Sequence, residues 1–164
     1  MCWKTAQMNG GNAVGAVGAQ TDVVVPADAV GHTTDGVNTL SYFATDKVGN
    51  VEAAHAVTVR MDTRRPQTAA PSRASVRRGQ TARLQYIVND QAPNGGTAAV
   101  TVKIRNQKHK VVRTLTLGSQ RVNVILRASF RCSLRPGRYR FSVYATDLAG
   151  NRQASVGSNR LVVR

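Results

Sequence analysis

Apolar and polar residues alternate along several short runs of this 164-residue chain, and two of these runs are related to each other. The alternating apolar positions are Leu40, Tyr42 and Ala44 in the first run and Phe141, Val143 and Ala145 in the second. Successive side chains of a strand point to opposite faces of a sheet. This period of two therefore predicts a half-buried β-strand in each run.

Each of the two runs ends in the motif Ala-Thr-Asp-x-x-Gly-Asn, which occupies residues 44–50 and again residues 145–151. The aspartate is suited to accept hydrogen bonds from backbone amides two residues on, and the glycine is suited to the positive φ of a bulged hairpin. A second β-rich stretch follows each motif. The repeat predicts a strand–turn–strand hairpin used twice, with turn-forming roles for Asp46, Gly49, Asn50, Asp147, Gly150 and Asn151.

The rest of the chain divides unevenly around this repeat. From residue 72 onward, alternation predicts strands at 80–89, 98–104, 110–117 and 121–127, with an edge strand at 72–76 and a turn at Gly118. Together with the repeat hairpin, this number of strands is typical of a two-sheet sandwich. Before residue 62, the pattern predicts strands only at 21–25, 36–44 and 57–61, and the glycine-rich stretch 9–20 is predicted as a loop.

The predicted fold is all-β, with tandem immunoglobulin-like β-sandwiches of which the first is incomplete. Three strands make a single sheet whose apolar face has no cover, so residues 1–62 are interpreted as a partial, truncated immunoglobulin-like module with strands mainly in 21–61. Residues 63–73 contain Pro66 and Pro71 and are predicted as a stiffened linker. Residues 74–164 are predicted to form a whole sandwich.

Charge is distributed as unevenly as the strands. The chain has 23 lysines and arginines against eight acidic residues, a net charge of +15. Residues 1–65 have a net charge of −1 and residues 66–164 a net charge of +16, which sum to that total. Such asymmetry of charge between two parts of a chain is informative about binding partners and not about the fold. No apolar window of about 18 residues occurs, so no membrane insertion is expected, and the first residues lack the regions of a secretory signal.

Residues suited to catalysis are scattered. His32, His55 and His109 stand in separate segments without metal-ligand spacing, and they are interpreted as solvated loop residues. The two cysteines, Cys2 and Cys132, are predicted to be unpaired, with Cys132 half-buried near a loop. We therefore predict no catalytic residue, no cofactor and no metal, and a protein that is not an enzyme.

Calcium is the alternative that the repeated aspartates raise. Asp46, Glu52 and Asp62 are the best-placed ligands, but calcium prefers six to eight oxygens, and the second module has only two acidic residues. A turn-forming role explains the aspartates and asparagines of the motif without a metal.

A basic face is the sharpest functional signal. Alternation predicts that the cationic residues of three strands point away from the core, and these strands are neighbours in a sandwich of this type. The predicted anionic-ligand patch consists of Lys103, Arg105, Arg138, Arg140, Tyr144 and Arg160. Such a patch is suited to an anionic polymer, and the alternative is a solvated, solubilising face.

Several motifs between residues 75 and 164 resemble one known family. They are the segments 78–80, 100–106, 110–115, 134–140 and 145–151, and their order and spacing resemble the immunoglobulin-like domain of the flagellar hook-capping (FlgD-type) family. The first module, through segments 35–42, 44–50 and 59–63, resembles the C-terminal half of a bacterial surface immunoglobulin-like repeat.

The resemblance implies a non-catalytic extracellular module of a bacterial surface or secreted protein, located outside the cell or on its surface, with no signal peptide in this fragment. Its expected role is that of a spacer or adhesion unit, or of a unit that binds an anionic cell-envelope polymer or another protein. Non-specific nucleic-acid binding through the basic charge, and neighbouring domains of a longer parent chain, are further expectations. Two alternatives are an accessory module of a secreted hydrolase and a hook-capping-type assembly protein.

Overall fold

The computed structural model describes residues 3–11, 13–17 and 25–164, and these ranges contain twelve β-strands and no helix. The all-β class predicted from the alternation is confirmed. The chain divides into two compact units, residues 1–63 and residues 64–164. Within the described ranges, no helix has the length and apolar character needed to cross a membrane.

The first unit is a single antiparallel sheet with the strand order β2-β1-β3-β4. Its strands are β1 (Trp3–Met8), β2 (Ala13–Val17), β3 (Gly36–Thr45) and β4 (His55–Met61). The prediction of a loop over 9–20 is wrong for β2, because Ala13–Val17 pair antiparallel with β1, and a pairing of two strands is not visible in the local composition. Most of the predicted strand at 21–25 lies outside the described residues, and Val25 is not in a strand.

Burial in the first unit is slight. Among its described residues, Ala6 is the one buried apolar residue, and the buried polar side chains are those of Asn38 and Asp35. Trp3 and Tyr42 are 58% and 44% exposed although both belong to central strands of the sheet. Since hydrophobic stabilisation scales with the apolar area removed from water, this sheet has little of it.

The second unit has eight strands in two sheets. They are β5 (Gln67–Ala69), β6 (Ala74–Val76), β7 (Thr81–Asn89), β8 (Thr97–Arg105), β9 (Val111–Arg121), β10 (Leu126–Arg131), β11 (Gly137–Asp147) and β12 (Gly157–Val163). A three-stranded sheet has the order β10-β7-β5, and a five-stranded sheet has the order β6-β12-β11-β8-β9. One cluster of nineteen buried residues, centred on Tyr86, Phe141 and Leu161, fills the space between them.

The pairing of these strands is that of an immunoglobulin-like sandwich. The first segment of the unit is divided between the two sheets as β5 and β6, and β6 runs parallel to the last strand, β12. β7 and β10 pair in one sheet, whereas β8, β11 and β12 pair in the other. In immunoglobulin-like domains the corresponding strands B and E share one sheet, and C, F and G share the other.

The predicted linker over 63–73 is wrong in its central part, because Gln67–Ala69 form β5 and pair with β7. Pro66 is fully buried, and the hydroxyl of Thr68 donates to the carbonyl of Val143 at 2.8 Å. Prolines on either side of a three-residue strand remove no amide from its pairing, so they bracket the strand without disrupting it.

Strand boundaries near residue 120 also differ from prediction. Gly118 has a φ of 68°, and the register of β8 against β9 shifts between Val100 and Thr101. A glycine in this conformation allows a β-bulge within the strand instead of ending it. β9 therefore continues to Arg121, and the strand predicted at 121–127 begins only at Leu126. Cys132 follows β10 as a free thiol that is fully buried rather than half-buried.

Candidate functional site

The two copies of the repeated motif form the same turn. In the first copy the side chain of Asp46 accepts from the backbone amide (2.9 Å) and the side-chain amide (2.8 Å) of Asn50. In the second copy Asp147 accepts the same two bonds from Asn151, at 2.8 and 3.0 Å. Gly49 and Gly150 have φ values of 93° and 91°. The hydrogen bond from the Asn50 side chain is the main cause that lowers the pKa of Asp46 below its ordinary value.

The equivalence extends two residues beyond the motif. Glu52 accepts a hydrogen bond from the amide of Ala44 at 2.8 Å, and Gln153 accepts one from the amide of Ala145 at 3.0 Å. A neutral side chain makes this bond in the second copy, so the bond does not require the charge of Glu52. In this turn, then, the carboxylates of Asp46 and Glu52, which raised the calcium alternative, act as acceptors for backbone and side-chain amides.

These matched turns allow a direct comparison of local stability. The amides of Asp46 and Asn50 are expected to exchange with deuterium at least about 100-fold faster than those of Asp147 and Asn151, although their hydrogen bonds are alike. The difference would arise from the surroundings, since Asp46 is exposed whereas Asp147 is buried beside the core. Exchange followed by mass spectrometry or NMR measures it. Equal protection of the two turns would show that the first unit is as stable as the second.

The connection before β3 is built around two other aspartates. Asp28 accepts from the amide of Gly31 at 2.7 Å and from the hydroxyl of Thr33 at 2.8 Å, and these two bonds are the main causes that lower its pKa to about 2. Asp35 accepts from both the amide (2.9 Å) and the hydroxyl (2.7 Å) of Thr63. Asp28 thus fixes the loop internally, and Asp35 holds it against Thr63 after the end of β4.

The three histidines have different surroundings. Nδ1 of His32 lies 2.6 Å from the hydroxyl of Thr63, so this residue is part of the loop network and the interpretation as a solvated residue is wrong for it. The hydroxyl lies between the imidazole and the carboxylate of Asp35, whereas a nucleophilic triad places the imidazole between the other two groups. His55 stacks on Tyr42 with ring centroids 5.4 Å apart, and His109 is exposed.

The predicted basic residues lie together on the outer surface of the five-stranded sheet, which we call the first basic face. β8, β11 and β12 are neighbours, and Arg140 of β11 is directly opposite Arg105 on one side and Arg160 on the other. The three arginines therefore form a row across three strands, with neighbouring Cβ atoms about 4.5–5.5 Å apart. Alternation places the intervening residues, such as Phe141 and Ile104, in the core.

The other predicted members extend this row along the strands. Arg138 is two residues before Arg140 on the same face of β11, and Lys103 is opposite Ser142. Nζ of Lys103 lies 5.1 Å from the ring centre of Tyr144, while Arg105 donates to the hydroxyl of Tyr144 at 3.1 Å. Tyr144 thus holds two cations at one end of the face.

A groove of about 320 Å³ runs along the other end of the first basic face. The arginines at 105, 138, 140 and 160 line it together with Asn106, Gln107 and His109 from the turn between β8 and β9. Nothing in the sequence pattern indicated these three residues, because a turn has no periodicity that assigns its side chains to a face. They add side-chain hydrogen-bond donors and acceptors to a cationic groove.

The surface of the second unit is cationic throughout. Residues 1–63 contain three basic and six acidic residues, a net charge of −3, and residues 64–164 contain twenty basic and two acidic residues, a net charge of +18. The two acids of the second unit, Asp90 and Asp147, are buried, with carboxylate oxygens within 4.8 Å of each other. All residues of this unit are described, so it has no exposed carboxylate side chain.

The row of arginines is unfavourable for the isolated protein. Like charges directly opposite each other on adjacent strands are destabilising, and Arg140 has two such neighbours. A hydrogen bond from Arg140 to the hydroxyl of Ser158, at 2.8 Å, orients its guanidinium but leaves the charge uncompensated. An anion bound over the row would relieve this repulsion.

No known family model and no curated protein matches the sequence. Among solved structures, the chain is similar to a tetra-tandem repeat in the extending region of a large adhesion protein, with 22% identity and a TM-score of 0.41. The alignment covers 98% of this chain and 41% of that structure, so the chain spans less than half its length.

Proposed function

We propose that this chain is a non-catalytic module of a bacterial surface or secreted protein, and that its second unit binds an anionic cell-envelope polymer through the first basic face. The observation that carries the proposal is the row of Arg105, Arg140 and Arg160 on a unit without an exposed carboxylate side chain. The FlgD-type motifs and the immunoglobulin-like strand order support the assignment of the second unit as a scaffold of this kind. Function then lies in the side chains displayed on its sheet.

A purely solubilising role accounts less well for this surface. Surfaces that serve solubility mix charges of both signs, whereas this unit buries its two acids and aligns cations across strands. Arginine also offers a planar fork of donors that matches phosphate and sulfate groups. A linear polymer with such groups would meet several guanidinium groups along the groove at once.

Retention on immobilised polymers tests the proposal. The double variant Arg138→Ser/Arg140→Ser is expected to elute from heparin and from poly(glycerol phosphate) resins at lower salt, with binding weakened about 25-fold at 0.1 M salt because two phosphate or sulfate contacts are lost.

The control removes the same charge elsewhere. Arg77 and Arg78 lie in the exposed turn before β7, and Arg77→Ser/Arg78→Ser is expected to elute close to the unmodified protein. Equal elution of both double variants would show that retention depends on net charge alone, and unchanged elution of the Arg138/Arg140 variant would remove the first basic face as a binding site.

A further inference from the structure

The opposite surface of the second unit carries a separate set of arginines, which we call the second basic face. Arg83 of β7 and Arg127 and Arg131 of β10 are exposed on the outward side of the three-stranded sheet. Arg83 is directly opposite Ser129, while Arg127 and Arg131 are opposite Gln85 and Thr81. Each β10 arginine is thus a diagonal neighbour of Arg83, at about 7–8 Å between Cα atoms.

The strand alternation that directs these arginines outward also builds the core. Ala82 and Leu84 flank Arg83 and are buried, and Ala128 and Phe130 alternate with the arginines of β10 and are buried as well. These apolar residues belong to the same cluster as Phe141 of the five-stranded sheet. The two basic faces are therefore the two outer surfaces of one sandwich, whose sheets pack about 10 Å apart.

The two basic faces point in opposite directions, and this limits what one linear ligand can contact. A short polymer segment that lies along one sheet cannot contact the outer surface of the other sheet, because the packed core separates them. Each face has at least three arginines, and neither has an exposed carboxylate from this unit to compete for them. The second face is not a continuation of the first, since its residues come from strands of the other sheet.

We propose that the second unit has two polyanion-binding sites, one on each outer surface of the sandwich, and that it links two anionic polymer chains through them. The inference rests on the proposed function of the first basic face and adds a second site, on Arg83, Arg127 and Arg131, and a cross-linking role. The ligand class is the same, a linear polymer with sulfate or phosphate groups, because the donors are again guanidinium groups.

Binding stoichiometry tests the inference with the full chain and a heparin octasaccharide, a probe too short to join two proteins into a network. Isothermal titration at low salt is expected to give two octasaccharides per protein. Arg83→Ser/Arg127→Ser/Arg131→Ser is expected to give one, and Arg105→Ser/Arg140→Ser/Arg160→Ser is also expected to give one. The control Arg77→Ser/Arg78→Ser/Arg135→Ser removes three charges from loops and is expected to keep two.

Long polymer then tests the linking role. Unmodified protein mixed with full-length heparin near charge equivalence is expected to scatter light strongly. Each single-face triple variant is expected still to bind the heparin, but to scatter at least fivefold less light than the unmodified protein.

The outcomes separate the two proposals. One octasaccharide per unmodified protein, lost in the Arg105/Arg140/Arg160 variant, would overturn the second site and leave the proposed function intact. Absence of binding to the unmodified protein would overturn both. A loss of one octasaccharide from the loop control would show that stoichiometry follows net charge, and that result would also overturn the second site.

Discussion

Replacing Arg105, Arg140 and Arg160 by serine is expected to remove most of the salt dependence with which the first basic face binds a phosphodiester chain. The first basic face offers five cations to such a chain, namely Lys103, Arg105, Arg138, Arg140 and Arg160. For a single-stranded polyphosphate, each neutralised phosphate contributes about −0.7 to the slope of log K against log salt concentration. Five contacts predict a slope of about −3.5, and two contacts predict a slope of about −1.4.

These slopes correspond to a large difference in behaviour. The measurement uses a protein in which Arg83→Ser/Arg127→Ser/Arg131→Ser has removed the second basic face, so that the first basic face supplies the contacts. Between 50 and 200 mM salt, this protein is expected to lose about 100-fold in affinity, and adding the Arg105, Arg140 and Arg160 substitutions is expected to reduce that loss to about sevenfold. Fluorescence anisotropy with a labelled oligothymidylate measures both, because its phosphodiester backbone gives the slope without sequence-specific contacts. Thermal melting of each variant verifies that the sandwich is intact.

Two results would contradict the prediction. A slope that falls equally in Arg77→Ser/Arg78→Ser/Arg135→Ser would assign the salt dependence to overall charge. A slope that stays near −3.5 when Arg105, Arg140 and Arg160 are replaced in that protein would assign the contacts to residues outside both basic faces.

The sequence pattern was sufficient for the repeat hairpin and for the first basic face, because both depend on a period of two. Once Phe141 and Val143 are assigned to the core, Arg138 and Arg140 must point outward. Alternation does not determine the register in which neighbouring strands pair. That Arg140 stands opposite both Arg105 and Arg160 depends on how three strands pair, and a shift of one residue would have reversed the faces.

Missed strands had physical causes that a local pattern does not contain. β2 is a segment of glycine, alanine and valine that becomes a strand by pairing with β1, which is a contact between distant segments. The second basic face was not predicted because the pattern places a strand at 121–127, whereas β10 extends over Leu126–Arg131, so that Arg131 falls within a strand rather than after one. β5 has only three residues and is a strand because it pairs with β7, which is distant in the sequence.

The substitution with the largest expected effect on stability is at Gly157, next to β5. Gly157, the first residue of β12, faces the backbone of Ala69 in β5 so closely that an added Cβ would lie 2.6 Å from both its nitrogen and its carbonyl carbon, and in contact with its Cα. The amide of Gly157 donates to the hydroxyl of Thr68 at 2.8 Å, and this hydroxyl in turn donates to the carbonyl of Val143. These two hydrogen bonds tie β5 to β12 and to β11, and they oppose a movement of β5 away from Gly157.

Gly157→Ala is expected to destabilise the second unit by about 3 kcal/mol or more, because backbone atoms must move to relieve the overlap. For a unit of this size, that loss lowers Tm by roughly 12–24 °C. Gly95→Ala is the matched control, since its added Cβ would meet the side chain of Leu148, with no backbone atom among its three nearest neighbours. Leu148 is 67% exposed, so its Cδ1 is free to rotate away, and the contact with its Cβ needs only a small shift of an exposed turn. Scanning calorimetry of both variants is expected to show a change of under about 1 kcal/mol for Gly95→Ala. Equal melting temperatures of the two variants would mean that β5 moves away from Gly157 at little cost in stability. Residues 63–73 would then behave as the linker that their prolines indicated.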